Sequence, residues 1–192
     1  MEGDDLIARL RRRDPDALRS TVTEHARPLY RAARGMGFSP EDAEDLAQGS
    51  LAAFLESLDR FEGRSGVRTW LFGILHNKVM ERRRELYRED NQDPIDEVFE
   101  SRFDADGHWM RPPDDLHRLV ESREIGEAIG GCLGKLPAAQ REAFILREVE
   151  GLETAQMCKI LGISVTNMGV MLHRARIRLR ECLESRGWRG TL

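Results

Sequence analysis

The sequence predicts an all-α protein made of two small helical domains joined by an acidic, flexible linker. Apolar residues recur at spacings of three and four along most of the chain, and no stretch alternates β-branched with polar residues as a strand would. The 192 residues are 40% hydrophobic and 33% charged, enough for one good core or two small ones. Periodicity fades and prolines gather between residues 89 and 118. We therefore expect domains at 1–88 and 119–192, a linker at 89–118, and few contacts between the domains.

The first domain contains two helices that carry their own start signals. Asp14 is an N-cap residue followed by Pro15, and Ser39 followed by Pro40 repeats the same arrangement. Proline suits the first helical position because its missing N–H has no intrahelical partner there. These signals predict one helix from Pro15 and a second from Pro40 to about Leu58.

A third long helix follows a connector that contains Gly63 and Gly66. Its apolar positions are Trp70, Leu71, Ile74, Leu75 and Val79. The helix ends in a basic tail formed by Arg82, Arg83 and Arg84. Its spacing predicts a partly buried helix with a positively charged end.

The second domain is predicted to hold four helices, of which the last two form a helix-turn-helix. The helices are expected at about 116–133, 138–149, 154–161 and 165–186, separated by Pro137, Gly151 and Gly162. Gly162 supplies a left-handed turn, and Ser164 can cap the helix that follows. The inner face is predicted to hold Cys158, Leu161, Ile163, Met168 and Met171, and the outer face Ser164, Thr166, Asn167, Val170, His173 and Arg174, with Arg176, Arg178 and Arg180 beyond.

This helix-turn-helix indicates DNA binding. In such a motif the first turn of the second helix reaches base edges, while flanking arginines bind phosphates and fix the register. A generic helical hairpin is the alternative interpretation.

The charge distribution favours a polyanionic partner, although the whole chain has a formal net charge of −4. Residues 60–88 hold eight basic and three acidic groups, and residues 159–192 hold seven and two, so each tract is +5. Residues 89–118 hold three basic and ten acidic groups, a net −7. Two basic tracts on two domains predict a polyanion bound at two places. Solvated helix faces are the alternative.

Several function classes have no support in the sequence. No run approaches the roughly 18 apolar residues of a membrane span, so we expect a cytoplasmic protein without membrane insertion. Cys132, Cys158 and Cys182 are odd in number and lack a CxxC pair, which favours packing thiols over a disulfide framework or a metal site. A zinc site from Cys158, His173 and Cys182 is conceivable but has no close ligand pair. Without HExxH, a phosphate-binding glycine loop or a nucleophile elbow, we expect neither an enzyme nor a cofactor.

At this point the sequence resembles the bacterial sigma factors, the initiation subunits of RNA polymerase, and especially their extracytoplasmic-function (ECF) group. The segment LPAAQREAFILREVEGL and the helix-turn-helix after it resemble sigma region 4. SPEDAEDLAQGSLAAFLESLDRFEG resembles regions 2.1 and 2.2, and RSGVRTWLFGILHNKVMERRRE resembles regions 2.3 and 2.4. The matched family positions in the last segment are Thr69, Trp70, Leu71 and Asn77. Two motif sets in the right order are far more specific than either alone.

The resemblance implies roles for individual residues. Recognition of the minus-thirty-five promoter element falls to Ser164, Thr166, Asn167, Val170, His173, Arg174, Arg176 and Arg178. Opening and reading of the minus-ten element fall to Arg68, Trp70, Asn77, Arg82, Arg83 and Arg84. Docking on the clamp of core RNA polymerase falls to Asp42, Asp45, Leu46 and Gln48. For Trp70, a plain core position is an equally good interpretation.

Two further implications concern partners and the linker. The family is typically held inactive by an anti-sigma factor, for which Met157, Met168, Met171 and Leu172 offer weak support because methionines at helical spacing are more often core. The family's linker threads polymerase channels, with a solvated tether as the alternative.

Some observations leave room for another function. Gly49, Glu153, Gln156 and Gly169 depart from the family's pattern. A stand-alone helix-turn-helix regulator with a helical sensor domain is the alternative function, which would explain the second basic tract but not the first.

Overall fold

The computed structural model describes residues 2–61, 63, 65–86 and 123–187. Within these residues the chain is helical and contains no strand, which confirms the predicted fold class. We call residues 2–86 the first half and residues 123–187 the second half. The proposed linker at 89–118, the start of the helix expected from 116 and the chain end after 187 lie outside the described residues.

The first half consists of four α-helices and one short 3₁₀ turn. They are α1 (Glu2–Arg11), α2 (Pro15–Gly35), α3 (Pro40–Glu56), the 3₁₀ turn Leu58–Arg60 and α4 (Val67–Leu86). The predicted caps are present: Asp14 accepts a hydrogen bond from the Ala17 N–H at 2.8 Å, and Ser39 Oγ accepts one from the Asp42 N–H at 3.0 Å. These bonds satisfy N–H groups that have no partner within the helix.

The sequence did not predict helix α1. Its alternating acids and bases obscure an apolar stripe formed by Leu6, Ile7 and Leu10, of which Leu10 is completely buried. Arg11 Nε donates to the Phe61 carbonyl at 2.9 Å, which ties α1 to the connector before α4. Tertiary packing therefore holds a helix whose sequence pattern is weak.

The second half consists of α5 (Arg123–Leu133), α6 (Ala138–Phe144), α7 (Thr154–Leu161) and α8 (Val165–Ser185). Helix α6 continues into a π-helical turn, Ile145–Val149, so the helix predicted at 138–149 has the expected extent but a wider last turn. The predicted helix-turn-helix is present. Gly162 adopts φ +67°, and Ser164 Oγ accepts a hydrogen bond from the Asn167 N–H at 3.2 Å.

Two cysteines correct the expectation of plain packing thiols. Cys132 on α5 and Cys182 on α8 form a disulfide, whereas Cys158 is free. The packing of α5 against α8 brings the two Cα atoms to 5.7 Å, within the range that a disulfide spans. Fifty residues separate the pair in sequence, so no local motif signals it. No metal-binding group of His, Cys, Asp and Glu occurs among the described residues.

The expectation of few contacts between the halves is wrong. Helix α4 packs against α7, and α2 packs against the π-helical turn. A Cβ built on Gly35 would lie only 2.6 Å from Ile145 Cδ1, so the absence of a side chain at Gly35 permits the close approach. Gln156 Nε2 also donates to Thr69 Oγ1 at 3.1 Å. The amphipathic pattern of each half identified buried faces but not the partner that covers them.

Candidate nucleic-acid and polymerase interfaces

The first turn of α8 presents the predicted base-reading residues to solvent. Ser164, Thr166, Asn167 and Val170 are all exposed, and Val170 is 39% exposed despite being apolar. Met168, on the opposite side of the turn, is completely buried and anchors the helix. This geometry places short polar side chains and two apolar side chains, Val165 and Val170, at a capped helix start, an arrangement suited to a major groove.

The rest of α8 is less open than the sequence predicted. His173, Arg174, Arg176 and Arg178 are half-buried. Arg176 pairs with Glu148 of the π-helical turn, with Nη2 2.5 Å and Nε 3.1 Å from Glu148 Oε1. Desolvation, with help from the neighbouring positive charges of Arg176 and Arg174, lowers the pKa of His173. The lowered pKa favours the neutral form of His173.

The methionines of this region form core. Met157 and Met168 are completely buried, Leu172 is 7% exposed, and Met171 is partly buried against the same core. The support that they offered for an inhibitor-binding surface is therefore lost. Glu153 and Gln156, which depart from the family's capping pattern, still cap α7: the Glu153 N–H donates to Gln156 Oε1 at 2.8 Å.

Helix α4 carries the residues predicted for the minus-ten element, and they divide into two groups. Asn77 and Arg84 are exposed. Arg68, Trp70, Arg82 and Arg83 are half-buried, and the three arginines each meet a carboxylate. The sequence predicted a basic helix, but it did not predict that other parts of the chain neutralise most of its cations.

Arg82 and Asp42 link two predicted sites. Arg82 Nη2 lies 2.6 Å from Asp42 Oδ1. The hydrogen bond from Arg82, followed by that from Ser39, lowers the pKa of Asp42. Of the predicted polymerase-binding residues, Asp42 is thus engaged within the chain and Leu46 is buried, while Asp45 and Gln48 are exposed on one face of α3.

Trp70 lies at the border between the halves. Its ring meets Phe61 edge to face, with centroids 4.7 Å apart. Its Nε1 is buried and lacks a hydrogen-bond acceptor among the described residues. The side chain lines a cavity of about 570 Å³ between α3, α4 and α7, which Asn77 and Lys159 also border. Trp70 therefore packs against the core, as one interpretation expected, and its role at the minus-ten element stays a prediction.

The border between the halves also holds four residues that the sequence analysis missed. Glu142 and Glu150 of the second half are 2% and 3% exposed, and their partners include Arg31 and His76 of the first half. Glu142 stands three and four positions before the buried Ile145 and Leu146, which already places it on the buried face of its helix. That spacing is the signal that could have identified it.

No single helix among the described residues is long and apolar enough to cross a membrane, although α7 and α8, bent by 99°, meet the length and composition requirement jointly.

Comparison with protein families gives two matches in the predicted order. Residues 21–89 match sigma-70 region 2, and residues 126–179 match sigma-70 region 4. A probable RNA polymerase sigma factor of Haemophilus influenzae is 31% identical over 151 residues, which are 75% of this chain and 78% of that protein. The ECF RNA polymerase sigma factor EcfG of Rhodopseudomonas palustris is 30% identical over 88% of this chain and 86% of its own.

A solved structure shares the fold. The sigma factor RpoE of Bartonella quintana, in complex with the anti-sigma factor NepR, superposes with a TM-score of 0.65 at 27% identity, covering 86% of this chain and 96% of that one. The capped helix-turn-helix, the basic α4 and the two family matches agree with these relatives. The chain belongs to the sigma-70 family of RNA polymerase sigma factors, within its ECF group.

Proposed function

We propose that this protein joins core RNA polymerase and directs it to promoters by reading the minus-ten element with α4 and the minus-thirty-five element with α8. The observation that carries the proposal is the start of α8, where Ser164, Thr166, Asn167 and Val170 stand exposed in the cap and the first two turns. A region 2 match in front of this motif is what a stand-alone regulator would lack. Sigma factors are initiation factors rather than catalysts, so no reaction is assigned to the chain.

Docking on the polymerase clamp is assigned to the exposed edge of α3. Asp45 and Gln48 are three residues apart and therefore share one helical face. Asp42 supports this edge from within, through its ion pair with Arg82. A negatively charged residue on a free helix face suits a positively charged docking partner.

We further propose that an anti-sigma factor controls this protein and that this protein acts in the cytoplasm. The support is the relative of known structure, which is bound to an anti-sigma factor. Arg68 and Arg83 of α4 already pair with carboxylates within the chain. An acidic inhibitor segment would therefore meet suitable partners on this surface.

Reconstitution tests the function directly. Purified protein is mixed with core RNA polymerase, and the transcripts made from a genomic DNA library are sequenced. We expect initiation at sites that share minus-ten and minus-thirty-five elements, and no operator binding by the protein alone. Tight, specific binding of duplex DNA without polymerase would instead support the stand-alone regulator.

Asp45→Arg gives the matched test of docking. The substitution inverts a charge on an exposed helix face, so core binding should fall while circular dichroism and melting stay near wild type. Glu184→Arg on the exposed end of α8 is the control and should leave core binding unchanged. Normal holoenzyme assembly by Asp45→Arg would remove this edge from the polymerase interface.

A further inference from the structure

Two valines stand exposed at the start of α8. Val165, the first helical residue after the Ser164 cap, is 65% exposed, and Val170 is 39% exposed. Valine is also a weak helix former, because its branched side chain loses rotamer freedom in a helix. Isolated apolar residues are common on protein surfaces, but neighbouring ones mark contact surfaces. Neither valine therefore serves the core, and together they suit a contact with another molecule.

Gly169 lies one helical turn after Val165, on the same side of α8. Glycine is the poorest helix former after proline. Its backbone is not left-handed here, unlike that of Gly162. A Cβ built on Gly169 would have no side chain of a described residue within 4 Å, its two chain neighbours aside. Neither backbone conformation nor packing within the described chain therefore requires a glycine, and its missing side chain leaves a notch in the exposed surface of α8.

Val170 points away from the core of the second half. The buried Met168 and Leu172 lie two residues before it and two residues after it. Two residues turn an α-helix by about 200°, so Val170 lies on the opposite side from both. Thr166, a predicted base-reading residue, is exposed one turn before Val170. The valines and the glycine thus continue the surface assigned to the minus-thirty-five element. We name Val165, Gly169 and Val170 the methyl-reading patch.

The chemistry of this patch matches one group of the major groove. Base edges there present hydrogen-bond donors and acceptors, and thymine alone adds an apolar group, its 5-methyl. A valine side chain can neither donate nor accept a hydrogen bond, so it cannot distinguish the polar groups. It can cover a methyl group and exclude water from it. A glycine allows a helix backbone to come close to a ligand.

We propose that the methyl-reading patch binds thymine 5-methyl groups in the minus-thirty-five element. The notch at Gly169 accommodates a methyl group, and Val165 and Val170 cover it from the two sides. Removal of one methyl group from water changes affinity by about fourfold. The patch therefore adds thymine specificity to the hydrogen bonds of the neighbouring polar residues. This proposal rests on the minus-thirty-five recognition that is assigned to α8 above.

Deoxyuridine substitution tests the methyl contact. The full chain is combined with core RNA polymerase, and the transcripts that this holoenzyme initiates define its minus-thirty-five element. Each thymine of the element, on either strand, is then replaced by deoxyuridine, which pairs in the same way but lacks the 5-methyl. Competition binding measures the affinity of the holoenzyme for each promoter. We expect a loss of about fourfold at one or two positions.

Valine variants assign that loss to the patch. Val165→Ala and Val170→Ala should bind the thymine promoter more weakly and should bring the affinity ratio of thymine to deoxyuridine towards one. Arg178→Ala should weaken binding to both promoters alike and keep the wild-type ratio, as loss of a phosphate contact does. Leu86→Ala, which shortens a 53% exposed apolar side chain outside α8, is the control and should behave as wild type.

Gly169→Ala tests the notch with two effects of opposite direction. Alanine is the better helix former, so the melting temperature of the protein should rise. The added methyl fills the notch, so binding to the thymine promoter should weaken, and binding to the deoxyuridine promoter should weaken less. A stabilised variant with the wild-type ratio of affinities would overturn the notch as a methyl site.

The outcomes separate this proposal from the proposed function. If the holoenzyme selects no minus-thirty-five element, promoter recognition by α8 fails. If the selected element contains no thymine, or if thymine and deoxyuridine bind equally at every position, the methyl-reading patch is overturned while promoter recognition stands. A thymine preference that the two valine variants retain in full would also overturn it, because other residues would then read the methyl group.

Discussion

Helices α4 and α8 are both assigned to promoter contact and both belong to tracts of net charge +5, yet they meet different surroundings. On α4, Arg68, Arg82 and Arg83 each pair with a carboxylate from elsewhere in the chain. On α8, the first turn after Ser164 is exposed. The difference teaches that similar charge does not mean similar availability: the start of α8 is exposed, whereas three arginines of α4 already pair with carboxylates.

The halves also differ in how their helices are held. In the second half a disulfide joins α5 to α8, whereas the described part of the first half contains no cysteine. In the oxidised chain, helix α8 is thus joined covalently to α5 of its own half. Helix α4 is fixed by packing and by charges that reach across to the other half.

The largest expected effect concerns this disulfide. Closing a loop of 50 residues stabilises a fold by up to about 4 kcal/mol in the chain-entropy account. Oxidised protein should therefore need more urea to unfold its second half than protein treated with dithiothreitol. Cys158→Ser, which leaves the pair intact, is the control and should keep this difference. Equal unfolding midpoints for the oxidised and reduced forms would show that the disulfide does not stabilise the second half.

The next effect concerns base reading by α8. Replacement of Thr166 and Asn167 by alanine should reduce discrimination between matched and scrambled minus-thirty-five elements by about 1–3 kcal/mol, because base contacts carry sequence information. Arg178→Ala should weaken both sequences alike, as loss of a phosphate contact does. Holoenzyme binding to the two duplexes measures both effects. An equal loss on both sequences from the Thr166 and Asn167 changes would contradict the assignment.

A smaller effect separates an exposed arginine from an arginine that is paired with a carboxylate. Arg84 is exposed at the end of α4, whereas Arg176 is paired with Glu148 on the inner side of α8. Arg84→Ala should lower the salt dependence of promoter binding by about one phosphate contact. Arg176→Ala should leave the salt slope nearly unchanged. If Arg176→Ala changes the salt slope more than Arg84→Ala does, the pairing of Arg176 with Glu148 breaks when DNA binds.

The smallest effect concerns pH. Burial lowers the pKa of His173, so the unfolded chain binds a proton at this residue more readily than the folded chain. Its contribution to stability is therefore complete above the unfolded pKa of about 6.5 and is lost as the pH falls below it. Between pH 7 and 5 the wild type should lose slightly more stability than His173→Gln. Promoter affinity from pH 7 to 8 should have the same pH dependence in both proteins.

Local signals determined much of the fold. Asp14, Ser39, Gly162 and Ser164 cap or turn the chain through bonds to residues three or four positions away, and the sequence displays those bonds directly. The helix predicted at 154–161 has those bounds in the structure. The exposed first turn of α8 was predictable for the same reason, because helical spacing alone separates its inner from its outer face.

Contacts between distant residues were decided only by the tertiary structure. Three such contacts have no signature in the local sequence. They are the Cys132–Cys182 bond, the pairing of Glu150 with Arg31 across 119 positions, and the packing of α1. A sequence pattern shows that a face must be buried or that a charge is present. Which surface covers that face, and which carboxylate neutralises that arginine, depends on how the helices pack. For this sigma factor, the sequence therefore predicted which residues could contact promoter DNA, and the tertiary packing decided which of them already pair with other residues of the chain.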